Sequence, residues 1–330
     1  MVLVVVLVVV VGLAVLRLGG STRDTSPSPT APPARVSSPS PQAWPVGLPP
    51  GTVLVGAAGR VDTLDSGSGK LTRTSVASDP ATTSLTRVAG GVLVWRSGSP
   101  GSQTLLADAS SPSPGRGRLA SGTSFLPGPD GLVWARSGRG SKKSTWRLVD
   151  ADGRATRSVR ADGSVVGDGS GGLLTVGKQG VRPLFPRPRQ SWETGQVVAT
   201  GPEGYVVRSC VESVCRFRLH QHGGGADTDL DTAVGEETSG GTLSPGNRLL
   251  AVTETVGGTS TLRVSVVATG EVKEIFSEPG RSTNDAVWLD DRWLVLVSED
   301  ELVLYDADDD RVVTPDLPLS SLGPLAWTSA

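Results

Sequence analysis

The stretch VWLDDRWLVLVSEDELVLYDADDDRV, residues 287–312, decides the fold class. Within it Arg292–Val297 (RWLVLV) is a short apolar run bounded by Asp and Ser-Glu-Asp clusters. A run that short between turn-forming residues reads as a strand. Its continuation, LYDADDDRVV (304–313), reads as an outer hairpin whose aspartates serve turn geometry rather than chemistry.

The same unit recurs outward from this stretch. Similar strands are Thr52–Val55 (TVLV), Gly91–Trp95 (GVLVW), Gly131–Ala135 (GLVWA), Gly172–Val176 (GLLTV), Gly204–Arg208 (GYVVR) and Arg248–Val252 (RLLAV). They look like the innermost strands of their units. Outer hairpins recur at TLDSGSGKL (63–71), LVDADGRAT (148–156) and VVATGEVKEI (266–275), and no convincing amphipathic helix appears after Thr52. A period of about 40 residues with about four short strands each is that of a β-propeller. The expected fold is therefore all-β, a propeller of about seven four-stranded blades over 51–330. Six or eight blades stay open, because the fourth and fifth units are the least regular. Pro324–Thr328 (PLAWT) is placed to join the first unit and close the ring, which removes exposed strand edges.

The sequence LSPGNRLLAV (243–252) is similar to the Ser-Pro-Asp-Gly-Arg-x-Leu-Ala pattern of TolB-like and WD-repeat-like propeller blades. Residues 287–312 and PGPDGLVWA (127–135) resemble it too. Two departures stand out: no Gly-His or Trp-Asp pair occurs, and Asn247 stands where the pattern has Gly. The resemblance implies a binding platform in the cell envelope, with ligands at the central channel or a rim. Arg outnumbers Lys, alongside abundant Ala, Gly and Val, which resembles the usage of actinobacterial envelope proteins.

The amino-terminal part has another character. Residues 1–16 (MVLVVVLVVVVGLAVL) carry no charge and would span about 24 Å as a helix, slightly under a hydrocarbon core of about 30 Å. Residues 1–20 are read as an uncleaved transmembrane signal-anchor; RLGGSTRDT (17–25) offers a poor cleavage site. With no basic residue before the run, a short basic cytoplasmic segment is expected upstream. Residues 21–50 hold nine of the chain's 24 prolines and are expected to be a disordered Pro/Ser/Thr-rich linker, a spacer across an envelope layer. The expected location is a single-pass cell-membrane protein with its C-terminal domain extracytoplasmic.

Cys210 and Cys215 flank Val-Glu-Ser-Val. If Glu212-Ser213 form a two-residue turn, the cysteines oppose each other across a hairpin, close enough to bridge. Outside the cytosol such a pair oxidises, so a structural disulfide is expected and supports the extracytoplasmic location.

The remaining motifs carry little chemistry. With 2 His and 2 Cys, a Cys-rich zinc site, an iron–sulfur cluster or chemistry needing several imidazoles is excluded. A net charge of −2 gives no nucleic-acid footprint. His220 and His222, followed by Asp227, Asp229 and Asp231, could conceivably ligate a metal, but HQHGGGADTD reads as a flexible surface loop. Asp306, Asp308 and Asp310 have calcium-like spacing, yet Arg311 replaces the required Gly and Leu317 the required Glu. Gly67–Lys70 fails as a phosphate loop, and Gly167–Gly172 fails as a nucleophile elbow. Trp95, Trp134, Trp288, Trp293 and Trp327 could line a carbohydrate-binding face, but packing between blades is the commoner use. No catalytic, cofactor-binding or metal residues are assigned. The function expected is a non-enzymatic protein- or ligand-binding scaffold with the membrane and an envelope protein or glycan as partners. The alternative is a glycan-active hydrolase using carboxylates in the central channel.

Overall fold

A computed structural model describes residues 43–79, 83–88, 91–96, 103–107, 113–115, 124–137, 143–150, 153–186, 192–212, 214–231, 238–257, 259–279, 285–298 and 301–329. The expected anchor and the linker up to residue 42 lie outside the described residues. Residues 43–50 are described, and they lie against the first sheet. There Leu48 is buried, and Trp44 Nε1 donates to the Ser66 carbonyl at 2.8 Å. Among the described residues no helix is long and apolar enough to cross a membrane, and the helical pieces are the 3-10 turns Pro129–Gly131 and His222–Gly224.

The remaining regular elements among the described residues are strands, antiparallel in every strand pairing but one. Four sheets have four strands: 51–73 with 325–329, 83–115, 125–162 and 286–313. The sheet over 164–185 has three strands, and the one over 196–279 has eight. Among the described residues the sheets thus number six, against an expectation of about seven uniform four-stranded blades. The reason is local. A single parallel bridge, Thr200 to Thr242, joins two antiparallel four-strand meanders (196–230 and 238–279) side by side into the eight-stranded sheet. Beside the three strands of the 164–185 sheet, the described residues add one isolated bridge between Val181 and Glu193. This coincides with the two least regular units of the sequence.

The ring closes as the sequence suggests. Leu325–Ser329 pairs antiparallel with Gly51–Ala57, placing Trp327 opposite Val53. One expectation is reversed. The continuous apolar runs are the second strands of their sheets, each paired on both sides; Leu249–Val256, for example, lies between Thr238–Leu243 and Thr259–Val266. A second strand is also covered on both faces by neighbouring sheets. Val53 and Val55 pack towards the 286–313 sheet, and Leu54 between them packs towards the 83–115 sheet. Burial on both faces demands apolar residues at every position. The innermost strands, such as Gln196–Gly201 and Thr238–Leu243, line the channel and are smaller and more polar.

Seven buried clusters form the core of the described residues, each uniting side chains from two adjacent sheets or meanders. Trp134 and Trp293 are fully buried in two of them, and Trp288 is buried in a third. The turn leading into a second strand is built by a capping side chain. Ser244 Oγ accepts from the amides of Arg248 and Leu249, and Asp290 Oδ1 accepts from those of Arg292 and Trp293. Asn247 holds φ +55°, a left-handed conformation that Asn tolerates better than most residues. This explains how it replaces the Gly of the repeat pattern.

Candidate functional site

The first strands of successive sheets converge on a pocket of about 390 Å³. Its walls are Leu126, Pro127, Val165, Val166, Val197 and Val198, with backbone from glycines including Gly169, Gly240 and Gly241; Thr200 supplies a hydroxyl. Among the described residues that line it there is no carboxylate. Small residues on innermost strands keep this space open, because large side chains there would fill the channel. Such a surface can receive an apolar side chain or small apolar ligand. The innermost strands do bring one perturbed acid: Asp285, just before Ala286–Trp288, whose carboxyl is pushed up to about 6 by burial.

A second feature lies between the 164–185 sheet and the 196–230 meander. Gly204–Val211 and Val214–Gln221 form a long hairpin in which Cys210 faces Cys215 and Val211 faces Val214. The cysteines are bonded, with Cα atoms 4.0 Å apart. Glu212 takes φ +57° in the turn. One face of the hairpin carries Val207, Ser209, Val211, Val214, Arg216 and Arg218; with Glu193, Thr194, Glu212 and Asp229 it bounds an open groove of about 730 Å³. Val211 and Val214 at the tip are largely exposed.

Beneath the groove lies His220. It is buried, contrary to a reading of its segment as a free surface loop, because it stands in a strand opposite Tyr205, whose ring stacks on it at 4.8 Å. Its Nε2 lies 2.8 Å from Glu193 Oε2 and its Nδ1 3.1 Å from Asp227 Oδ1. Both are close contacts whose angles fall outside hydrogen-bond geometry. Glu193 also meets Arg218 at 3.7 Å, and Arg218 Nε donates to Asp229 at 2.9 Å. That hydrogen bond holds the Asp229 carboxyl below its ordinary range. His220 thus stands where three segments meet, with a carboxylate of Glu193 and one of Asp227 each close to a ring nitrogen. His222 separates from it, placing Nε2 3.0 Å from the Asp168 carbonyl. Among the described residues no group of three or more His, Cys, Asp or Glu is arranged to hold a metal. Glu193 escaped sequence reasoning because it is 27 positions away and in no motif.

The other motifs are structural. Asp306 is fully buried and gripped by Arg292, while Asp308 and Asp309 pair with Arg248 and Arg292. Asp310 accepts from Tyr305 Oη at 2.9 Å; burial, then this contact, pushes the phenol above its ordinary range. Gly67–Lys70 forms a hairpin turn capped by Asp65, whose carboxyl hydrogen bonds to Ser68 hold below its ordinary range. Asp168 caps the Gly169–Gly172 turn, accepting from the amides of Ser170 and Gly172. The tryptophans pack between sheets: Trp134 Nε1 donates to the Gly171 carbonyl at 2.9 Å, and Trp95 and Trp327 pad neighbouring clusters.

No protein-family model matches the chain, and no curated protein matches it in sequence. Solved structures do resemble it. TolB from Acinetobacter baumannii superposes with a TM-score of 0.50 at 12% identity, over 84% of this chain and 66% of that one. The chain therefore spans just under two thirds of that TolB chain. A putative 6-phosphogluconolactonase from Bacteroides uniformis gives 0.53 at 10% identity, over 84% of this chain and 99% of that one. The β-propeller domain of the Trilobed protease from Pyrococcus furiosus gives 0.51 at 10% identity, over 77% and 85%. Identity this low speaks for the fold alone, and that fold is a β-propeller.

Proposed function

We propose that the chain is a membrane-tethered, extracytoplasmic β-propeller that acts as a protein- or ligand-binding scaffold in the cell envelope, without chemistry of its own. The observation that carries this reading is the pocket among the innermost strands, whose described lining is valines, Leu126 and glycine backbone, with no carboxylate among those described residues. Glycoside hydrolysis needs two carboxyl groups about 5–9.5 Å apart, and the described lining residues supply neither. The Cys210–Cys215 bridge supports an oxidising compartment, and the apolar run 1–16 with its Pro-rich tether supports membrane attachment. Tethering raises the effective concentration of a weak binder near membrane or wall partners.

One observation favours the hydrolase alternative: Asp285, with its raised pKa, is the type of group a general acid requires. In-cell crosslinking of the full-length chain, affinity capture and mass spectrometry test the two readings. A stoichiometric partner, lost on Val197→Arg and on deletion of 51–330, is the expected result. An empty capture, together with glycan hydrolysis abolished by Asp285→Asn, would replace the scaffold by the enzyme.

A further inference from the structure

Charge is unevenly placed along this chain. Residues 133–162 hold eight Lys and Arg against three Asp, a net +5 within a protein whose total is −2. The structure shows where part of that charge goes. In Lys143–Val149 the alternate residues Ser144, Trp146 and Leu148 are buried, so Lys143, Thr145 and Arg147 face the other way. The outermost strand, Ala155–Asp162, sets Arg160 opposite Thr145, Ser158 opposite Arg147 and Asp162 opposite Lys143. Lys143, Arg147 and Arg160 are all exposed.

These three cations differ from most of the described basic residues nearer the carboxyl end. Arg218, Arg248, Arg263, Lys273, Arg292 and Arg311 all sit in ion pairs. Among the described residues no carboxylate pairs with Lys143, Arg147 or Arg160, and Asp162 is the one acid on their face of the two strands. Their arrangement is regular. Lys143 to Arg160, and Arg160 to Arg147, are both diagonal steps across the strand pair, roughly 7–8 Å each. Thr145 and Ser158 fill the positions between with hydroxyls.

We propose that this outer sheet face binds an anionic polysaccharide. A zigzag of cations at a near-constant interval suits a linear polymer bearing a charge on each repeat, and the hydroxyls between suit sugar hydroxyls. A single-stranded nucleic acid would want aromatic platforms for its bases. The aromatic residue of these two strands, Trp146, points into the core. The proposal deepens the scaffold reading by assigning it a glycan partner, on a face apart from the channel pocket.

The test is fluorescence anisotropy of labelled dextran sulfate titrated with the full-length chain, with neutral dextran and single-stranded DNA as parallel probes. Dextran sulfate should bind with an affinity that falls as salt rises, and K143Q/R147Q/R160Q should weaken it about tenfold or more. K70Q/R73Q/K178Q, an equal charge change on other sheets, should leave binding within twofold. A melting temperature equal to the parent's shows that the first variant is folded. Absent binding, equal weakening by both variants, or DNA bound as tightly as dextran sulfate at equal charge concentration would each overturn the proposal. Failure here leaves partner capture through the channel pocket untouched, so the two readings fall separately.

Discussion

Arg292 grips the fully buried carboxylate of Asp306 with two nitrogens, Nε to Oδ1 at 2.7 Å and Nη2 to Oδ2 at 2.6 Å. Burial pushes the Asp306 carboxyl up, but these hydrogen bonds and the Asp309 amide outweigh it and hold the group below its ordinary range. A carboxylate depressed in this way stabilises the fold at neutral pH. That contribution is present above the unfolded value near 4 and is lost as pH falls through the folded one. Among the described residues, Arg292→Ala leaves the buried charge to Arg311, 3.6 Å away. The melting temperature at pH 7 should drop by several degrees, and the double replacement of both residues by Leu should recover most of it. Calorimetry of the three proteins measures this.

Asp285 gives the opposite pH dependence. Its folded pKa, about 6, lies above the unfolded value of 3.8, so the folded state holds the extra proton. Its contribution is fully present below about pH 4 and is lost as pH rises through 6. Above that the buried charge costs on the order of 2–3 kcal/mol. Asp285→Asn should therefore raise stability at pH 8 and leave it nearly unchanged at pH 4. Urea titrations at the two pH values check the difference.

The Cys210–Cys215 bridge closes a short loop at the end of a hairpin already paired over eight registers. Chain entropy assigns such a loop about 2 kcal/mol. In C210S/C215S the hairpin tip should become the first site of limited proteolysis, with the remainder of the fold intact. Alkylation of the native protein followed by mass spectrometry should find no free thiol.

Ring closure rests on five residues. Leu325–Ser329 completes the first sheet, and Trp327 and Ala326 pack into the clusters on either side of it. Deleting 325–330 exposes the edge of Gly51–Ala57 together with those clusters. The truncated chain should lose cooperative thermal unfolding or self-associate through that edge. Size-exclusion chromatography with light scattering distinguishes it from the monodisperse parent.

The strands, their turns and their period were legible in the sequence because each is a local matter. Arg292–Val297 is apolar at nearly every position, and DADDDR turns wherever it occurs. The disulfide was legible for the same reason, since six residues and one turn place Cys210 opposite Cys215. His220 was misread because its neighbours in sequence, Gln221 and Gly223–Gly225, have the composition of a loop, while its burial comes from Tyr205, Glu193 and Asp227. The apolar runs told that a strand is covered on both faces, but not that it stands second rather than first in its sheet.

By itself, then, the sequence determined an all-β repeat closed by its last strand, with a covalent staple in one hairpin. Backbone geometry, turn chemistry and apolar patterning act over a few residues and are written in order along the chain. Only the tertiary structure decided which acid meets which base, where the channel opens, and which cations remain unpaired. Those outcomes depend on which faces of neighbouring sheets come together. Partners such as Glu193 and His220, or Lys143 and Arg160, are therefore separated along the chain by distances no local pattern records.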